Sequence, residues 1–144
     1  MKYDDASWHR IDGFPKELPV SASGTHIGMY VTWCLLNGLA GPFILKAFEA
    51  DLKRMQQKNI TPGKWFMETL DEQFTDDVLS DVGNEFTSNY YNNPETGQYY
   101  RDYIVVLAAN AESIYHIGDT WENYELISPV IGSRYTAWKQ NDQQ

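Results

Sequence analysis

The chain has a single cysteine, Cys34, so it can form no internal disulfide and holds no CxxC zinc or redox motif. Basic residues are also few: eleven Lys and Arg stand against twenty Asp and Glu, for a formal net charge of −9. That balance excludes direct nucleic-acid binding, because phosphate neutralisation needs clustered cations. No stretch nears the ~20 apolar residues of a membrane span, and the opening MKYDDASWHR lacks the pattern of a signal peptide. A cytoplasmic protein without membrane contact is the expectation. Histidine is scarce as well. His9, His26 and His116 do not pair at i,i+3 or i,i+4, so no helix presents an HExxH-type metal pair. There is no GxSxG elbow, and Gly38-Leu39-Ala40-Gly41 lacks the lysine and the preceding strand of a phosphate loop. The sequence therefore assigns no catalytic residue, no cofactor and no metal.

What is present is a length of 144 residues with no internal repeat. That suits one domain burying roughly 70% of its unfolded surface. The spacing of apolar residues predicts an all-α fold of six or seven helices around a central hydrophobic one. Residues 1–23 are broken by Gly13, Pro15 and Pro19 but carry Tyr3, Trp8 and Phe14, and read as an irregular arm packed on the body. Residues 26–37 (HIGMYVTWCLLN), with Thr25 as N-cap and Gly38 beyond, are apolar on nearly every face and so form the central helix. Gly28 inside it fits a close crossing by a neighbour.

The stripe Leu45, Phe48, Leu52 and Met55 predicts a helix over 43–58, and Thr61-Pro62 starts another over 62–72. Thr75 reads as the N-cap of a longer helix buried through Val78, Leu79, Val82, Phe86 and Tyr90. Asn92, Asn93, Pro94 and Gly97 mark a turn. Tyr100, Tyr103, Ile104 and Leu107 stripe a helix over 97–110. Asp119 caps a short helix over 120–127, and Ser128-Pro129 restarts the chain for a final helix that frays over 140–144.

Charge is unevenly placed. Residues 65–128 carry thirteen acids against Arg101 alone, whereas residues 46–64 carry an excess of three cations. Asp77, Asp81 and Glu85 repeat at i, i+4 and i+8, a spacing that destabilises a helix by about 0.2–0.5 kcal/mol per pair. The bland reading is a solvated face that keeps the protein soluble. The sharper one is a docking surface for a basic protein partner, made by Asp71, Glu72, Asp76, Asp77, Asp81 and Glu85 with Tyr90 and Tyr91 as anchors. An alternative site lies between the arm and the central helix. Asp4, Asp5, Trp8, His9, His26 and His116 sit at segment edges from which they can converge on a small molecule or metal. His26, at a helix N-terminus, is expected to be neutral if the helix dipole dominates. Cys34 sits among apolar residues and reads as a small hydrophobe.

Three segments together carry a likeness. The opening Lys2-Tyr3-Asp4-Asp5-Ala6-Ser7-Trp8-His9 and the stretch Thr25-His26-Ile27-Gly28-Met29 with Trp33 are two of them. The third is Asp119-Thr120-Trp121 with Ser128-Pro129, Arg134, Tyr135 and Trp138. The chain resembles a family of small uncharacterised bacterial cytosolic proteins over essentially its whole length. The resemblance implies no activity or cofactor. It does imply that Asp4, Asp5, Trp8, His9 and His26 form one packed unit against the central helix. In size, charge and helicity the chain is also similar to acidic immunity proteins that neutralise bacterial toxins. The expected function is accordingly a protein-binding module of that type.

Overall fold

The computed structural model describes residues 1–92 and 97–142, so the predicted turn residues Asn93 and Pro94 and the tail residues Gln143 and Gln144 lie outside the described residues. The fold is mostly helical, and its axis is helix α1 (Thr25–Leu36). Being apolar all round, α1 is enclosed by its neighbours, and every residue from Thr25 to Leu35 is buried. The chain leaves it through Gly38 at φ +80°, a left-handed position that suits a residue without Cβ.

Helix α4 (Pro62–Thr69) crosses α1 at Gly28. A Cβ there would lie 2.6 Å from the Pro62 carbonyl oxygen and 2.7 Å from the Gly63 Cα, which is the close approach that a glycine in mid-helix implied. Between these two helices the predicted single helix over 43–58 is broken. Helices α2 (Pro42–Ala47) and α3 (Glu49–Gln56) meet at Phe48, which leaves helical backbone at φ −123° and ψ 32°. The break shifts the apolar face by one residue: Ile44 is buried, while Leu45 is 56% exposed.

The largest departure lies at 73–80. Thr75 begins no long helix; only a 3-10 turn over Asp76–Val78 follows it, with no side-chain cap bond. Gln73–Thr75 is instead a short strand, β2, paired antiparallel with β1 (Lys2–Asp5), so the arm is ordered from its first residues. Phe74 is pinned in the core under Tyr3, with ring centroids 5.0 Å apart. After the 3-10 turn, backbone bonds from Gly41 N–H to Val78 and from Ser80 N–H to Leu39 hold Leu79 and Ser80 extended. Helix α5 (Asp81–Tyr90) starts only at Ser80, whose hydroxyl accepts the Gly83 N–H. The i, i+4, i+8 acid repeat is therefore no helical stripe, because Asp77 precedes the helix.

Helix α6 (Gln98–Tyr103) buries Tyr99 and leaves Tyr100 half exposed, then widens into a π-helical turn over Ile104–Ala108. Helix α7 (Trp121–Asp142) runs through Pro129 without the predicted restart. Tyr124, Ile127 and Ile131 are buried along it on both sides of the proline, and that shared face keeps the helix continuous despite one missing N–H. Asp119 does not cap α7. Thr120 Oγ1 accepts the Asn123 N–H, while the Asp119 carboxylate accepts the Gly63 and Lys64 N–H groups at 2.7 and 2.9 Å and so caps α4.

Candidate functional site

Asp4 lies on β1, where pairing with β2 turns its side chain inward. Asp5 then ends the strand: its carboxylate accepts the Ser7 N–H at 2.9 Å and caps a 3-10 turn over Ala6–Arg10, with Lys2 Nζ 2.9 Å from the other oxygen. The turn folds His9 back over Asp4, so that His9 Nε2 is 2.8 Å from Asp4 Oδ1. Tyr91 donates to Asp4 Oδ2 at 2.5 Å, and the Asp5 N–H donates to Oδ1 at 2.8 Å. His9 Nδ1 meets the Tyr115 hydroxyl at 2.8 Å. Burial works to raise the Asp4 pKa, but the hydrogen bonds from His9 and Tyr91 and the charge of His9 hold it below the usual carboxylate value.

His26 projects from the first turn of α1 into the same space. Its ring meets that of His9 edge-on with centroids 4.6 Å apart, and Tyr115 and Tyr103 close the surround at 5.9 and 6.1 Å. It is 4% exposed, and neither ring nitrogen has a hydrogen-bond partner among the described residues. Burial, helped by His9 and opposed by Asp4, lowers its pKa from 6.5 to about 3. The ring is neutral, as expected, but desolvation leads that shift. One donor atom each from Asp4, His9 and His26 lies within 4.8 Å of the others.

The remaining arm residues go elsewhere. Trp8 is 50% exposed beneath the Lys2 ammonium, outside the packed unit that the resemblance implied. His116 does not join the other two histidines. Its Nε2 is 2.9 Å from Glu17 and its Nδ1 is 2.8 Å from the Ser113 hydroxyl, so it ties the arm to a different loop.

The acidic segment divides into paired and unpaired groups. Glu72 accepts from Arg10 at 2.6 Å, and Asp76 sits 3.2 Å from the Met1 amino group. Asp102 takes a bidentate clasp from Arg134 at 3.0 Å together with the Tyr90 hydroxyl at 2.7 Å. Asp71, Asp77, Asp81 and Glu85 are exposed and form no ion pair among the described residues; Asp77 accepts only from the Thr75 hydroxyl. Asp71 and Asp77 edge a groove of about 310 Å³ walled by Phe43, Phe48, Leu70 and Val78, at which Phe43 is 53% exposed. Tyr90 and Tyr91 are not surface anchors. Tyr90 is 3% exposed and stacks on Phe86, while Tyr91 faces Asp4.

A family model described as a domain of unknown function, DUF7832, matches residues 2–117. The chain belongs to the DUF7832 family. The DUF7832 match spans Asp4, His9, His26 and the whole unpaired acidic face, and stops short of Asp119 and α7. No curated protein and no solved structure matches. No helix among the described residues is long and apolar enough to cross a membrane. Sequence reasoning missed Tyr115, Arg134 and Phe43 as site groups. Phe43 carried a usable signal, since it stands one residue after the helix-starting Pro42, outside the apolar stripe.

Proposed function

We propose that the protein is a protein-binding module that docks a basic partner on the face between α2 and the start of α5, in the manner of an immunity protein capping a toxin domain. The observation that carries this reading is the Phe43 groove with unpaired Asp71 and Asp77 at its edge and Asp81 and Glu85 exposed beyond. An exposed aromatic in an apolar groove with acids at its edge has the composition of an interface: the apolar contact supplies affinity, and the charge supplies encounter rate and choice of partner. Phe43 takes the anchoring role that Tyr90 and Tyr91 cannot.

The test is co-purification from the native host, followed by titration of the isolated partner at low and high salt. The expected result is a basic protein whose association slows about tenfold or more in high salt and in the Asp77→Lys/Asp81→Lys variant. Phe43→Ala should cost about 2 kcal/mol of binding, as a central anchor does. Binding indifferent to salt, to both charge reversals and to Phe43 would overturn the reading.

A further inference from the structure

We propose that Asp4, His9 and His26 are the protein ligands of a divalent first-row transition-metal ion. This site is separate from the acidic docking face. The first observation is convergence: a carboxylate and two imidazoles, brought from a strand, a turn and a helix, present donor atoms within 4.8 Å of one another. Ligand atoms about 2 Å from a shared ion lie roughly 3–3.5 Å apart, so side-chain movements of about an ångström complete the set. The second, independent observation is His26. A ring that is 4% exposed with both nitrogens unpartnered forfeits its hydrogen bonds to water and gains nothing in return, unless a Lewis acid takes the lone pair.

The surroundings fit a metal centre as well. Metal-bound histidines hold their second nitrogen with a hydrogen bond, and His9 has Tyr115 on Nδ1 while Nε2 faces Asp4. On binding, Nε2 gives up its proton to solvent and frees its lone pair, while Nδ1 keeps its proton and donates it to the Tyr115 oxygen. The Tyr91 hydroxyl fixes Asp4 Oδ2 and leaves Oδ1 for the ion. The His9 side chain is 22% exposed, which gives an ion a short way in. Two imidazoles favour ions such as Zn²⁺, Co²⁺, Ni²⁺ or Fe²⁺ over Mg²⁺ and Ca²⁺, which take oxygen ligands. A second grouping, Glu17, Glu112 and His116, lacks this signature, because both nitrogens of His116 already have partners.

The experiment titrates Co²⁺, and then Zn²⁺ in competition, into metal-free protein purified without a histidine tag. Visible d–d absorption and the ¹⁵N shifts of the imidazole nitrogens are followed. The expected result is about one Co²⁺ per chain with the intense bands of a four- or five-coordinate ion. Zn²⁺ should displace it, ten equivalents of Mg²⁺ should not, and the ring nitrogens of His9 and His26 should move while those of His116 stay. Tyr115→Phe should weaken binding about tenfold by releasing His9, and Asp4→Asn and His26→Phe should remove the bands. The ring-nitrogen shifts are read on the wild-type chain, so a variant that misfolds leaves them decisive. Wild-type protein that shows no cobalt bands, or whose His26 nitrogens do not move when metal binds, overturns the proposal. So does Co²⁺ binding that survives in folded Asp4→Asn and His26→Phe.

Discussion

Asp4 and Asp81 carry the same side chain and live under opposite terms. Asp4 is 9% exposed and answered from three sides, by His9, Tyr91 and the Asp5 N–H. Asp81 stands in water at the first turn of α5, where the helix dipole is its main support. The difference teaches that net charge is a poor map of function. Glu72 and Asp102 are answered by Arg10 and Arg134 from outside the segment and Asp119 by a helix N-terminus, and of the acids left free Asp71 and Asp77 edge one groove. A buried carboxylate persists only where its partners are arranged for it, whereas a surface one costs the fold little and is available to a partner.

Asp4→Ala strands the His9 ring and the Tyr91 hydroxyl, and is expected to cost about 3–5 kcal/mol in urea unfolding. A loss no greater than that of Asp81→Ala would erase the contrast.

Acid tests the same region with a smaller effect. The folded-state pKa of His26 lies near 3 against an ordinary 6.5, so below 6.5 the unfolded chain takes up a proton that the folded chain refuses. Its contribution is therefore fully present above 6.5 and is lost as pH falls toward 3, by up to about 1.4 kcal/mol per unit. Asp4, His9, Tyr103 and Tyr115 face this ring, and among them the Asp4 carboxyl titrates below the upper part of that window. Metal-free protein should lose stability between pH 6.5 and about 4.5, and His26→Phe should flatten that slope. An unchanged slope in the variant would assign it to other groups.

One layer out, Gly28→Ala drives a methyl into the backbone of α4 and is expected to cost about 1–3 kcal/mol by thermal or urea unfolding. A neutral result would mean that α1 and α4 separate freely, and the frame that places His26 would be softer than described. Asp81→Ala should be the smallest, within about 1 kcal/mol, and should show its effect in partner association instead of stability.

The helical frame was legible where local chemistry and burial agree. The all-apolar run of α1, the Thr61-Pro62 start of α4 and the crossing at Gly28 all follow from residue type and spacing. Legibility failed where tertiary contacts overrule local signals. Thr75-Asp76-Asp77 has the composition of a helix start, yet β1 claims residues 73–75 for a sheet. Ser128-Pro129 has the composition of another, yet the buried row Tyr124, Ile127 and Ile131 carries α7 through. The site was half legible. Asp4, His9 and His26 could be named as a group, but whether they meet depends on the turn that Asp5 caps. The inward turn of Tyr91 depends on Asp4, 87 residues away. His116 shows the other side of the same limit, because its position in the chain looked no different from that of His9.

The arm also sets an order of events. The Tyr91 bond to Asp4 closes a loop of 87 residues and the Tyr115 contact with His9 one of 106, whereas the crossing of α1 and α4 joins residues far nearer in the chain. Closing such spans delays a contact until the frame that receives it exists. The strand that carries Asp4 is thus expected to engage late as the chain folds and to lift early as it unfolds. Tyr91→Phe should then quicken unfolding while leaving the refolding rate nearly unchanged.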